Sequence, residues 1–243
     1  MKDFHSHILY GLDDGSKSLD ESLELLKLAS TSGINEILLT PHYIENTKYS
    51  SNNKDKIKVF NKLKREIKNA KIDIKLYLGN EVYITDNILK LIEEGEIKTL
   101  NDSKYILIEF PLMNMIRGSK YILYDLVTHG YVPVLAHPER YRIFQRHVRM
   151  LHEYLNEGVL LQCNYKSLYG EYGHDAKKTI KYLLKNDMVT FLGSDCHHEK
   201  DFKLKKLQKD LTKIIKDKDK VQDLLENNFN RVINNEEIGI TCR

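Results

Sequence analysis

Five of the ten histidines in this 243-residue chain stand in short polar clusters. These clusters are His5-Ser6-His7 with Asp13-Asp14-Gly15 after it, Thr40-Pro41-His42, His137-Pro138-Glu139-Arg140 and Ser194-Asp195-Cys196-His197. Two further carboxylates are notable for their position. Glu81 closes the run Gly79-Asn80-Glu81, and Glu109 sits between Ile108 and Phe110 in an apolar stretch, where it is costly unless paired or bound to a cation. In an extended strand side chains alternate with period two, so His5 and His7 share one face, as do Asp195 and His197. Imidazole and carboxylate without thiolate suit Zn, Mn or Fe. The nine candidates His5, His7, Asp14, His42, Glu81, Glu109, His137, Asp195 and His197 are too many for one tetrahedral zinc. They suffice for two or three ions sharing a bridging carboxylate. Any one buried His or Glu is more often a structural hydrogen-bonding group, so the argument rests on the set. His129, His147, His152 and His174 read as surface or packing residues, and His198 as a support for its neighbour.

The elements that must position these groups are legible as a repeat. Apolar runs at Asp3–His7, Glu36–Thr40, Lys75–Leu78, Tyr105–Phe110, Val132–Ala136, Val159–Gln162 and Val189–Leu192 predict seven strands. Helical patterns lie between them. Ser18-Leu19-Asp20-Glu21 predicts a capping box, with Ser18 accepting the Glu21 amide and Glu21 reaching back to the Ser18 N–H. Helices follow at Lys54–Lys71, near Asp86–Glu94, Lys120–His129, Val148–Asn156 and Ala176–Lys185, with Lys-rich helices to the end. Strands alternating with helices, each strand a near-continuous apolar run, predict an α/β fold with a parallel sheet covered on both faces. The count favours a closed or nearly closed barrel, in a single domain without a Gly/Ser- or Pro-rich linker. In a β/α barrel the C-terminal strand ends meet at one face, and almost every apolar run here ends in a candidate ligand. Neither G-x-G-x-x-G nor G-x-x-x-x-G-K-[ST] occurs, which argues against dinucleotide and P-loop chemistry.

Composition narrows the classes further. Hydrophobic residues at 41% supply a core, and the net charge of +3 is too small to argue for nucleic acid. No apolar run is long enough for a membrane span, and MKDFHSH lacks the features of a secretory signal. The three cysteines, Cys163, Cys196 and Cys242, are too few for a disulfide framework, so a cytoplasmic location is expected. A cysteine phosphatase needs a C-x5-R loop, but Tyr169 and Phe202 stand where Cys163 and Cys196 would need the arginine.

Taken together, H-x-H, T-P-H, an isolated Glu, a His after the fifth strand and D-x-H resemble the PHP (polymerase and histidinol phosphatase) family. Within it the resemblance is to the CpsB/YwqE-type tyrosine phosphatases of bacterial capsule and exopolysaccharide operons. The stretches FHSHILYGLDDGSKSLDES, LTPHY, GNEVYIT, LNDSKYILIEF, PVLAHPERY and GSDCHH carry it. The resemblance implies a distorted (β/α)7 TIM-like barrel with three divalent ions, commonly manganese, with iron, zinc or magnesium as alternatives. One ion would take His5, His7, Glu81 and Asp195, a second Asp14, His42 and His197, and a third Glu81, Glu109 and His137. Arg140 matches the family's phosphate-binding arginine. The second arginine of the family is replaced by a region containing only Lys200 and Lys203, for which Arg117 is a candidate substitute. His42, Arg140 and Asp195 are the expected catalytic residues.

Three divalent ions against four carboxylates would leave the site net positive, suited to a phosphate monoester dianion. Hydroxide formed at a metal near neutral pH is expected to attack phosphorus in line, without a phosphoenzyme. The implied partner is the phosphotyrosine tail of a bacterial tyrosine kinase, with no nucleic acid and no membrane insertion. Alternatives on the same scaffold are a small-molecule phosphatase such as histidinol phosphatase, a PHP-type nuclease, and a metal-binding regulator without catalysis.

Overall fold

The structure, a computed structural model, describes residues 1–114, 117–197, 202, 204 and 206–239. Nine parallel strands carry the fold: β1 (Lys2–Ser6), β2 (Glu36–Leu39), β3 (His42–Tyr43), β4 (Lys75–Leu78), β5 (Glu81–Tyr83), β6 (Tyr105–Glu109), β7 (Val132–Ala136), β8 (Leu160–Asn164) and β9 (Phe191–Gly193). They form two ladders, one ordered β1-β2-β4 and one ordered β3-β5-β6-β7-β8-β9. The helices are α1 (Leu19–Thr31), α2 (Asn53–Asn69), α3 (Ile88–Glu93), α4 (Ser119–Thr128), α5 (Arg142–Arg146), α6 (Leu151–Asn156), α7 (Gly173–Lys185), α8 (Leu207–Ile215), α9 (Lys218–Gln222) and α10 (Asn228–Ile233). The fold is α/β with a curled parallel sheet.

The seven predicted runs recur, but the second and third strands are each interrupted. Thr40-Pro41 separates β2 from β3, and Gly79-Asn80 separates β4 from β5. Pro41 has no N–H to give a ladder. Gly79 packs so closely on the next turn that a Cβ would lie 2.6 Å from Leu100 Cδ2. Asn80 ties the two breaks together, its Nδ2 donating to the Pro41 carbonyl at 2.8 Å. The breaks split one ladder into two and turn His42 and Glu81 towards each other, where they pair in register. On the far side of the curl, β1 meets the segment after β9: Ser6 and Cys196 form a parallel bridge, and Asp195 N donates to His5 O at 2.8 Å.

Apolar packing holds this frame in three groups. Leu25, Leu26 and Leu63 of α1 and α2 cover Ile37, Leu39 and Leu76. Leu123, Leu126, Leu155, Ile180 and Leu183 cover β5 to β8. Phe4, Leu38, Leu107, Val134, Leu160 and Phe191 come from strands of both ladders and fill the inside of the curl, with the Phe4 and Phe191 rings stacked at 3.9 Å. The cap of α1 forms in half: Ser18 Oγ accepts from Glu21 N at 3.2 Å. Glu21 Oε2 accepts from Lys17 N at 2.7 Å rather than from Ser18, which corrects the expected reciprocal box by one residue. Among the described residues no helix is long and apolar enough to cross a membrane.

Candidate metal and active site

The nine candidate ligands lie at strand ends, at the two strand breaks or on the loops beside them. His5 stands on β1 with His7 just after it, and Asp14 lies on the following loop. His42 is on β3, Glu81 opens β5 and Glu109 closes β6; His137 follows β7, and Asp195 and His197 follow β9. Glu81 is the hub. Its Oε2 lies 3.1 Å from each of His5 Nε2, His7 Nε2 and His42 Nδ1. Its Oε1 lies 2.9 Å from His137 Nε2. Glu109 approaches His137 Nε2 and His42 Nδ1, both at 3.7 Å. Asp195 Oδ1 lies 3.3 Å from His7 Nε2 and 3.7 Å from His5 Nε2. Asp14 Oδ1 lies 3.4 Å from His197 Nε2 and 3.8 Å from His42 Nε2.

The backbone is bent to achieve this. His137 and Asp195 both adopt left-handed conformations, with φ of 34° and 52°. Such conformations cost a non-glycine residue about 1–3 kcal/mol and cluster at functional sites. Two glycines let neighbouring chains approach the ligands: a Cβ on Gly193 would lie 2.6 Å from His5 Cβ, and one on Gly15 would collide with the His7 carbonyl.

Three acceptors fix which imidazole nitrogen faces the cluster. His5 Nδ1 donates to Gln162 Oε1 at 2.9 Å, since the Gln162 amide nitrogen is spent on Asn164 Oδ1. His7 Nδ1 donates to Asp13 Oδ2 at 2.7 Å, and His197 Nδ1 to the Asp195 carbonyl at 3.0 Å. In the neutral rings Nε2 is therefore bare and turned inward. His5 Nε2 and His7 Nε2 stand 3.0 Å apart. Two protonated rings at that distance would aim N–H groups at each other, and two neutral ones would oppose lone pairs. Among the described residues, buried Glu81 Oε2 and His42 Nδ1 have no hydrogen-bond partner. A cation among these atoms resolves both problems. With metal–ligand bonds of about 2.0–2.1 Å, neighbouring ligand atoms fall about 3.0–3.4 Å apart, the spacing around Glu81 Oε2.

Three overlapping groups are close enough to hold ions: His5, His7 and Glu81; His7, Asp14, His42 and His197; and His42, Glu81 and Glu109. The second contains the expected Asp14, His42 and His197 and adds His7. The first lacks the expected Asp195, and in the third His42 takes the place of the expected His137, whose Nε2 lies 2.9 Å from Glu81 Oε1 and 3.7 Å from Glu109 Oε1.

The electrostatics also call for positive charge. Burial opposes ionisation of Glu81, but His5 and His42 outweigh it and hold the carboxyl well below its usual range. Burial likewise opposes ionisation of Asp195, yet His5, His7 and Arg140 hold it well below. Glu109 goes the other way: burial, then Glu81 and Asp195, push it up to about 9. Burial and Arg140 bring His137 down to about 4. Burial works against charge on His7, but Asp13 raises it well above the ordinary value. Glu109 and His7 thus favour their protonated forms, while Glu81 and Asp195 stay ionised and His137 neutral.

Arg140 stands at the rim. Its Nη1 donates to Asp195 Oδ2 at 2.6 Å, and its side chain keeps 21% exposure. Arg117 is exposed and, among the described residues, makes no hydrogen bond or ion pair with the cluster. His198, Lys200, Lys203 and Cys242 lie outside the described residues. Cys163 and Cys196 are buried and form no disulfide with each other.

Sequence reasoning passed over Gln162 and Asn164, although they stand at the end of the one strand to which it assigned no polar residues. Asn164 Nδ2 holds Asp195 Oδ2 at 2.8 Å, and Gln162 orients His5. It also gave no role to Asp13, whose carboxylate binds the His7 ring and the His42 N–H.

The sequence profile of the family described as "Capsular polysaccharide synthesis, CpsB/CapC" matches residues 1–234. The chain belongs to this family. CapC of Staphylococcus aureus is 38% identical across 86% of this chain and 83% of its own length. The tyrosine-protein phosphatase YwqE of Bacillus subtilis is 32% identical across 82% of this chain and 78% of its own. A crystal structure from work on YwqE of Bacillus subtilis and CpsB of Streptococcus pneumoniae, described as metal-dependent tyrosine phosphatases, superposes with a TM-score of 0.91 at 29% identity, covering 98% of this chain and 96% of that one. The zinc-containing histidinol phosphate phosphatase of Lactococcus lactis, with a TM-score of 0.56 and 17% identity over 88% and 92% of the two chains, shares the fold.

Proposed function

We propose that the chain is a metal-dependent protein-tyrosine phosphatase that acts on a bacterial tyrosine autokinase and thereby regulates capsular polysaccharide synthesis. The observation that carries the metal site is the unpartnered Glu81 Oε2, set 3.1 Å from three imidazole nitrogens, two of which are bare by tautomer. Family membership and the 0.91 superposition support the substrate class.

His5, His7, Glu81 and Asp195 would hold one ion, Asp14, His42 and His197 a second, and Glu81, Glu109 and His137 a third. Manganese is our assignment, with zinc, iron and magnesium as the alternatives, of which zinc and iron suit the imidazoles best. When bound, divalent ions ionise water near neutral pH and offset phosphate charge. The chain's own residues do the rest. Arg140 offers its free guanidinium donors to phosphate oxygens while Asp195 holds its Nη1. Asp13, Gln162 and the Asp195 carbonyl keep three imidazoles in the ligating tautomer. The imidazoles and carboxylates of the cluster would be engaged as ligands, which leaves water as the attacking group. The phenolate leaving group, with a free pKa near ~10, needs little protonation to depart.

This reading takes residues 1–243 as one cytoplasmic phosphatase domain. It also takes the curl as a distorted (β/α)7 barrel, with β2 and β3 as one interrupted strand, β4 and β5 as another, and the Ser6–Cys196 bridge as the closure. Its test is a substrate panel with the manganese-loaded protein. Phosphotyrosine peptide should be turned over far faster than histidinol phosphate, and single-stranded DNA should stay intact. Preference for histidinol phosphate would assign the small-molecule phosphatase instead.

A further inference from the structure

Beside the ligand cluster lies a stack that ligand geometry alone does not require. Tyr172 stands in the turn before α7, between Gly170 and Gly173, whose φ values of 84° and 90° let the chain fold sharply there. The guanidinium carbon of Arg140 lies 4.4 Å from the centroid of the Tyr172 ring. Lys166, a buried lysine on the 3-10 turn after β8, lies over the same ring, its Nζ 5.8 Å from the centroid. Its ammonium donates to the Asp195 carbonyl at 3.1 Å.

The three side chains make one unit around Asp195. Arg140 holds its carboxylate and Lys166 its carbonyl, and Tyr172 touches both cations. A free arginine side chain loses rotamer entropy when it is fixed. Here the ring face and the Asp195 carboxylate have already fixed it, so the open guanidinium edge is preset towards the solvent-facing side of the site. Lys166 also steadies the left-handed Asp195, whose carbonyl it shares with His197 Nδ1.

Resting on the phosphomonoesterase reading above, we propose that Tyr172 and Lys166 are positioning residues that hold Arg140 as a ready-made fork for the phosphate dianion. Lys166 thereby places a second cation beside this anchor, on the turn after β8 rather than in the lysine region beyond His197. The contribution is to phosphate binding, through the ring face of Tyr172 rather than its hydroxyl.

The test compares manganese-loaded wild type, Tyr172→Ala and Tyr172→Phe, with melting temperature and metal content checked for each. Two quantities are read: the Kd of inorganic phosphate by calorimetry, and KM and kcat on a phosphotyrosine peptide. Tyr172→Ala should weaken phosphate about tenfold and raise KM by a similar factor, with a smaller change in kcat. Tyr172→Phe keeps the ring face and should stay within about twofold of wild type. Lys166→Met should shift both in the direction of Tyr172→Ala. Tyr172→Ala binding phosphate like wild type, or Tyr172→Phe losing as much as Tyr172→Ala, would overturn the inference. A wild type that binds phosphate but hydrolyses no monoester, with Tyr172→Ala still weaker, would sink the proposed function and keep the clamp. An active wild type matched by Tyr172→Ala in both readouts would sink the clamp alone.

Discussion

Asn80 and Glu81 are chain neighbours, both fully buried, with opposite surroundings. Asn80 is satisfied on all sides. Its amide nitrogen donates to Pro41 O, and its Oδ1 accepts from Lys56 Nζ at 2.6 Å and Lys98 N at 2.9 Å. Lys56, in turn, also donates to Glu96 O and lies 5.2 Å from the Tyr43 ring centroid. Glu81 faces three imidazole nitrogens with one oxygen that no hydrogen bond satisfies. Burial of polar groups is common to both, so burial does not mark the site. A closed set of donors and acceptors marks structure, and a set of acceptors lacking a cation marks function.

The largest effect expected from this contrast is at Glu81. Glu81→Gln removes the shared charge and should abolish metal binding and cut phosphotyrosine hydrolysis by about a thousandfold or more. The metal-free variant should also melt lower than metal-free wild type, because the imidazoles that hold Glu81 ionised lose their charged partner. A variant that retained metal and activity would erase the distinction between the two residues. Next in size is Asp13→Ala, which frees the His7 ring. Metal affinity by competition with a chelator should fall about 10–100-fold, as for other residues that orient ligands.

Lys56→Met probes the structural side. It should lower stability by about 2 kcal/mol near neutral pH while leaving kcat/KM within a few-fold. Burial brings the Lys56 ammonium down to about 7 from its ordinary 10.5. Below pH 7 the folded protein carries the buried charge at full cost. From pH 7 towards 10.5 the folded state sheds its proton while the unfolded state keeps it, so wild-type stability rises relative to Lys56→Met. Denaturant melts of both proteins at pH 6.5 and 9.5 would show a widening gap, and a constant gap would contradict the assignment. Smallest of all is Arg117→Ala, which should leave KM within about twofold, since Arg117 touches none of the cluster.

Much of this was legible in the sequence, for physical reasons. Ligand residues at strand ends follow the alternation of side chains along a strand, so His5 with His7 and Asp195 with His197 are readable from spacing. All nine candidates do come together. The two strand breaks were harder to see. Pro41 and Gly79 were visible, but their effect depends on Leu100 and Asn80 packing between distant segments. Gln162 and Asn164 looked like the polar end of an ordinary strand, because their function lies in acceptors they present to His5 and Asp195 across the curl. The second cation was expected at Lys200 and Lys203 beyond His197 or at Arg117. In the fold, Lys166 reaches Asp195 from the turn after β8. Register along a strand survives translation into sequence, whereas contacts between loops depend on the closed fold.

The most direct test of the central claim is phosphate release from a phosphotyrosine peptide by protein stripped with a chelator, with metal content measured before and after manganese is restored. The account predicts no release from the stripped protein and recovery that tracks bound metal. Full activity after complete stripping would contradict it.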